Sequence, residues 1–223
     1  MNVGDVATRV RRTFGDESGV QVTDDDVIRW INDAQEQIVL DNDGLMEATG
    51  TASSVANQKQ YSLPSDISTL RGLAYKGYHL EALNFNEFNS KVDGYQSTDN
   101  NITGTPTIYM VWNNEVWLHP VPALSETNAI TIYYQKHPAS VGLLADPLSV
   151  PLQYHNAVIK YCMAQAYELD ENFEAKQMKE AEFRDDTTKL NDRNKWTNQE
   201  TYPTITTLPG DEMYSDYGGW LNG

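Results

Sequence analysis

The hydrophobic spacing changes period twice along this chain, and that double change limits the architectures open to it. Near the N-terminus apolar residues recur at intervals of three and four. Val3, Val6, Val10 and Phe14 come first; after Gly15 and Gly19 follow Val27, Ile31, Ala34 and Ile38, with Trp30 beside them. This spacing puts one apolar stripe on each of two helices. Thr23 reads as the N-cap of the second helix, and Asp24, Asp25 and Asp26 fill its first turn. Three carboxylates there complement the helix dipole, and Asp26 stands at the capping-box position. Asp41 to Gly44 ends the helix. From Pro151 the helical spacing returns in Tyr154, Val158, Tyr161, Cys162, Ala166 and Leu169. Past a break at Asp170 to Asn172, Ala175, Met178 and Ala181 carry a weaker stripe in a charged segment that runs to about Asn194. A single rod of that length would measure about 65 Å, so two helices are expected.

Between these ends the runs are short and separated by Gly, Asn and Pro. Thr49 to Val55 and Lys59 to Leu63 are expected to form a first strand pair. Leu70 to Tyr75 and Tyr78 to Leu83 flank Lys76-Gly77, a hairpin turn signal. Asn84 reads as the cap of a short helix to Asn89. Thr107 to Trp112 and Glu115 to His119 flank Asn113-Asn114, and Asn tolerates the positive φ of a two-residue hairpin. Ile130, Ile132 and Tyr134 mark one more strand. The expected fold is α+β. Both chain ends, residues 1–45 and 150–195, build a helical bundle. An antiparallel domain, sandwich or barrel-like, is inserted at residues 46–149, and residues 196–223 form an extended C-terminal arm.

Charge narrows the function. The 223 residues hold 16 Lys and Arg against 32 Asp and Glu, a net charge of −16. Such a surface repels nucleic-acid phosphate and disfavours a protein that grips DNA, though not one that lets DNA pass. No apolar run approaches the roughly 20 residues of a membrane span. Met1 to Phe14 has three arginines and no apolar signal-peptide core, and the single Cys162 has no intrachain partner, so an intracellular place of synthesis is expected.

No catalytic, cofactor or metal constellation stands out. His79, His119, His137 and His155 fall in different expected elements, without the helical spacing of a zinc site. Cys162 lies on an apolar stripe and reads as an inert buried thiol. Asp41-Asn42-Asp43-Gly44 has the look of part of a calcium loop, but Val39 and Gly50 stand where its first and last ligands belong. Asp185-Asp186 sits in a charged helix and reads as a solvated face.

Aromatic residues say more. On the Asn113-Asn114 hairpin, Tyr109, Val111, Val116 and Leu118 share one face, and Ile108, Met110, Trp112 and Trp117 the other. Two apolar faces require burial on both sides, either within the domain or at a subunit interface through Met110, Trp112 and Trp117. The arm has no Lys or Arg, yet it holds Tyr202, Ile205, Leu208, Met213, Tyr214, Tyr217, Trp220 and Leu221. Those anchors read as a docking element for another surface.

Several separated stretches resemble the head-to-tail adaptor (connector) proteins of tailed bacteriophages. They are Val10-Arg11-Arg12-Thr13-Phe14-Gly15-Asp16-Glu17-Ser18-Gly19, the acidic cap with Trp30-Ile31-Asn32 and Ala34-x-x-x-Ile38, Tyr61-Ser62-Leu63-Pro64-Ser65-Asp66, Gly104-Thr105-Pro106-Thr107-Ile108-Tyr109, and Leu148-Ser149-Val150-Pro151-Leu152-Gln153-Tyr154-His155. The helix–β–helix order and Asp216-Tyr217-Gly218-Gly219-Trp220 resemble the tail tubular protein A family of T7-like phages. The resemblance implies a non-enzymatic structural protein of the virion neck, made in the bacterial host cytoplasm. Such proteins form a ring, commonly of twelve subunits, between the portal protein and the tail or nozzle protein. DNA passes through the channel without sequence-specific binding, and no cofactor or membrane is involved. The charged helix Glu171 to Arg193 would face either that channel or solvent. Other readings are a stopper or another neck component, a β-sandwich binding module with Trp112 and Trp117 as its platform, and a cell-wall hydrolase with paired carboxylates.

Overall fold

The computed structural model describes residues 1–42, 44–92 and 102–198, with side chains to residue 193. Helix α1 (Val3–Phe14) starts at Asn2, whose side chain accepts the Asp5 N–H while the Asp5 carboxylate accepts the Asn2 N–H. This reciprocal cap satisfies two otherwise orphaned donors. Gly15 ends α1 at φ 93°, a left-handed conformation that glycine adopts without a Cβ clash. Helix α2 (Asp24–Asp41) has the expected Thr23–Asp26 capping box.

Ten strands follow, with a short helix among them. They are β1 (Glu47–Ser54), β2 (Gln60–Ser62), β3 (Ile67–Tyr75), β4 (Tyr78–His79), β5 (Glu81–Ala82), α3 (Phe85–Lys91), β6 (Thr103–Gly104), β7 (Ile108–Trp112), β8 (Glu115–His119), β9 (Val121–Pro122) and β10 (Glu126–Lys136). Pro151 is extended and precedes a 3-10 turn at Leu152–Tyr154. Helices α4 (His155–Leu169) and α5 (Phe173–Asn198) complete the described chain, broken where Glu171 takes φ 54°.

Two open four-stranded sheets face each other, in the orders β1-β10-β3-β4 and β2-β8-β7-β5, with β6 and β9 paired apart. They form a sandwich with free edges, and no closed barrel is present among the described residues. Both expected turns form: Tyr75 pairs with Tyr78 across Lys76-Gly77, and Trp112 with Glu115 across Asn113-Asn114, but the strand expected from Tyr78 to Leu83 ends at His79, and Glu81–Ala82 joins the other sheet. Asn113 and Asn114 take φ 53° and 60°, the left-handed pair that a two-residue turn needs.

Two strand expectations are corrected. β1 pairs not with β2 but with β10, where Glu47 opposes Gln135 and Ala52 opposes Ile130; β2 crosses to the second sheet and pairs with β8. The Tyr61 hydroxyl holds that crossing by donating to the Gln58 carbonyl at 3.0 Å and accepting the Val55 N–H at 3.1 Å. The unit is also not wholly antiparallel, since β5 runs parallel to β7 and β6 to β9.

Three apolar cores result. The bundle core joins α1, α2, α4 and Phe183 of α5, and it takes in Val141, Leu148 and Val150 from the returning segment. The sandwich core lies between the sheets around Leu73, Leu118, Ile130 and Ile132. A third, small core sits outside the second sheet, where Phe88 and Val92 cover Met110 and Val121. Because β1 and β10 are neighbours, the chain leaves the bundle and re-enters it at one place.

Candidate interaction surfaces

That crossing place is a polar seam built by α2. Asn32 matches the Val141 backbone on both sides: its amide nitrogen donates to the carbonyl at 3.1 Å and its oxygen accepts the N–H at 2.9 Å. The fully buried Gln35 accepts the N–H groups of Ser149 at 2.6 Å and Val150 at 3.3 Å. Gln135 of β10 donates to the Val39 and Asn42 carbonyls at the end of α2, and the Tyr154 hydroxyl donates to the Asn42 side chain. Helix-end carbonyls would otherwise be buried without partners. Sequence reasoning passed over this seam. Its signal was present, because Asn32 and Gln35 are polar residues set beside the apolar stripe of Ile31, Ala34 and Ile38.

The structure separates the three residues expected at a subunit interface. Met110 is 1% exposed and belongs to the core under α3. Trp117 is half-buried against the same core, with the Lys59 ammonium 6.0 Å from its ring. Trp112 alone projects, 52% exposed, at the hairpin tip beside Val111. The Phe85 ring lies 4.8 Å from it, centroid to centroid. The short helix α3 was the missing information: it covers the face that alternation alone leaves open. A two-tryptophan platform for a ligand is not assembled, because Trp117 is turned into packing.

A second apolar surface lies at the bundle's elbow. Phe14, Gln21, Leu169 and Asp170 line a cleft of about 260 Å³, and Val20 and Phe173 are exposed. On another side, α1 and α5 stand apart over α4 and leave a groove of about 370 Å³. Charge is unevenly spread. Helix α5 holds six acidic and six basic residues, whereas α2 holds six acidic residues and one arginine. Much of the charge on α5 is paired, as in Lys160–Asp186 and Lys176–Glu168, each at 2.7 Å. Helix α2 is thus the more acidic of the two, and its Asp24, Asp25, Asp33 and Asp41 are exposed.

His137 contacts Glu36 at 2.7 Å across the seam, and burial lowers the pKa of both His119 and His155. Burial pushes the Cys162 thiol well up, which keeps it un-ionised and unreactive. No group of three His, Cys, Asp or Glu is placed to hold a metal among the described residues. Nor is any described helix long and apolar enough to cross a membrane. The docking residues Tyr202, Ile205, Leu208, Met213, Tyr214, Tyr217, Trp220 and Leu221 lie outside the described residues.

A helical bundle with an inserted sandwich, presenting an aromatic tip, an apolar elbow and an ionic groove, has the surfaces of a protein that works by contact. The sequence model of the SU10 adaptor protein family matches residues 1–209, and the chain belongs to that family. It is accordingly an adaptor-type structural protein of bacteriophage. A comparison with curated proteins finds no match.

Proposed function

We propose that this chain is a non-enzymatic head-to-tail adaptor that forms a ring at the virion neck, joining the portal protein to the tail or nozzle protein around the DNA channel. The observation that carries this reading is the adaptor-family match over residues 1–209. The division into bundle (1–45 and 150–195), inserted β domain (46–149) and docking arm (196–223) belongs to the same reading. So does the ring number of twelve, and so does the likeness to tail tubular protein A.

Ring closure needs a head-to-tail contact between unlike surfaces of each copy. The exposed Trp112 and Phe85 tip and the Phe14–Leu169 elbow are two such unlike surfaces. For the channel wall, α2 is better suited than the charged helix α5, because an acidic wall passes DNA without holding it and α5 is electrically balanced.

The test is assembly with the portal protein of the same phage. Full-length chain mixed with portal should give a discrete ring on the portal by mass measurement. Deleting Thr201 to Gly223 should abolish attachment while circular dichroism of the remainder stays unchanged. A full-length chain that stays monomeric and ignores the portal would overturn the adaptor reading; attachment that survives the deletion would overturn the arm's part in it.

A further inference from the structure

The groove between α1 and α5 has an apolar floor and charged walls. Ile159 and Met163 of α4, both nearly buried, form the floor. Arg9 and Thr13 of α1 make one wall; Lys160 of α4 and Lys179, Glu182 and Asp186 of α5 make the other. Lys160 contacts Asp186 at 2.7 Å and Lys179 contacts Glu182 at 2.9 Å, so those charges offset one another. Exposed Arg9 has no ion pair among the described residues. The groove thus carries an uncompensated positive charge on a chain whose net charge is −16.

The chain's own C-terminal segment is its chemical complement. Residues 199–223 contain Glu200, Asp211, Glu212 and Asp216, no Lys or Arg, and apolar anchors from Tyr202 to Leu221. Reach is no obstacle. From Asp186 to Asn198 the helix advances about 18 Å, while residues 201–223 span up to about 75 Å when extended. We propose that the segment 201–223 of this chain seats in the α1/α4/α5 groove, with an aromatic or aliphatic anchor on Ile159 and Met163 and an acidic residue on Arg9. This rests on reading the segment as a docking element and names the surface that receives it. Seated in the next copy's groove, the segment would also link neighbours in a ring.

The experiment uses the full chain without portal, so its result is separate from that of the attachment assay. Trp220 is replaced by p-benzoylphenylalanine, the protein is irradiated, and adducts are mapped by mass spectrometry. Adducts on residues 9–13, 156–163 or 179–186 are expected. Arg9→Glu should cut their yield at least fivefold, as should the arm-side pair Asp211→Lys and Glu212→Lys, and combining the two changes should restore it. Arg9 is exposed, so these variants are expected to keep the fold, which circular dichroism checks. Adducts confined to other surfaces, or a yield indifferent to both charge reversals, would overturn the proposal.

Discussion

Asp16 shows how much one short side chain can organise. Its two carboxylate oxygens accept the N–H groups of Val20, Gln21 and Val22 and the Ser18 hydroxyl, which fixes the turn between α1 and α2. The Val22 bond above all, opposed by burial and helped by the Ser18, Gln21 and Val20 bonds, holds its pKa down to about 2 from the usual 3.8. A carboxyl with a lower pKa in the folded state stabilises fully above its unfolded value and loses that contribution as pH falls through the folded one. Asp16 therefore contributes to acid unfolding between about pH 4 and pH 2. Asp16→Asn is expected to lower the melting temperature at neutral pH and to flatten its dependence across that window, which a series of thermal melts would show. Arg11 locks the same turn, donating to the Val22 carbonyl and contacting Asp24 at 2.7 Å. Gly19 stands against it: a Cβ there would come within 2.9 Å of the guanidinium carbon. The stretch from Val10 to Gly19 looked characteristic in the sequence. Its chemistry is that of a turn pinned at both ends.

At the scale of elements, the β7–β8 hairpin separates packing from surface. Alternation placed Met110, Trp112 and Trp117 on one apolar face, and the structure covers part of that face with α3. Met110→Ala is expected to destabilise the fold by about 2–5 kcal/mol, the usual range for emptying a buried site. Trp112→Ala should change stability by less than about 1 kcal/mol, since the side chain is half exposed. If Trp112 serves a subunit contact, its loss should appear instead as weakened assembly. Denaturant melts of the isolated chain, paired with a ring-assembly assay, distinguish the two. Helix α3 was legible as a capped turn at Asn84, and its capping box with Glu87 formed as the residues imply. What it packs on was not legible, because the strands beneath it come some twenty residues later.

Across the whole molecule, the bundle and sandwich meet through hydrogen bonds more than through shared apolar side chains. Gln135 of β10 binds backbone at the end of α2, across the crossing, while Asn32 and Gln35 tie the returning segment to α2 within the bundle. Removing an acceptor from a buried N–H costs about 1–3 kcal/mol. Gln35→Ala should therefore lower stability by about that amount, and it leaves the Ser149 and Val150 donors unpaired. Gln135→Ala, which removes the bonds from β10 to α2, should split calorimetric unfolding into two transitions, because each side keeps its own core. A single broadened transition would mean that the seam does not couple the two units.

Local features were written in the residues themselves. The helix stripes, the Thr23 and Asn84 caps, the two hairpin turns and the break after Leu169 depend on neighbours within a few positions, where periodicity and capping chemistry act directly. Pairings that join distant stretches were decided by tertiary structure. β1 chose β10 over the nearer β2, α3 closed over Met110, and Asn32 and Gln35 turned toward a segment more than a hundred residues away. Alternation fixes which side of a strand is apolar and says nothing about what will cover it; only the folded chain brings the covering surface within reach.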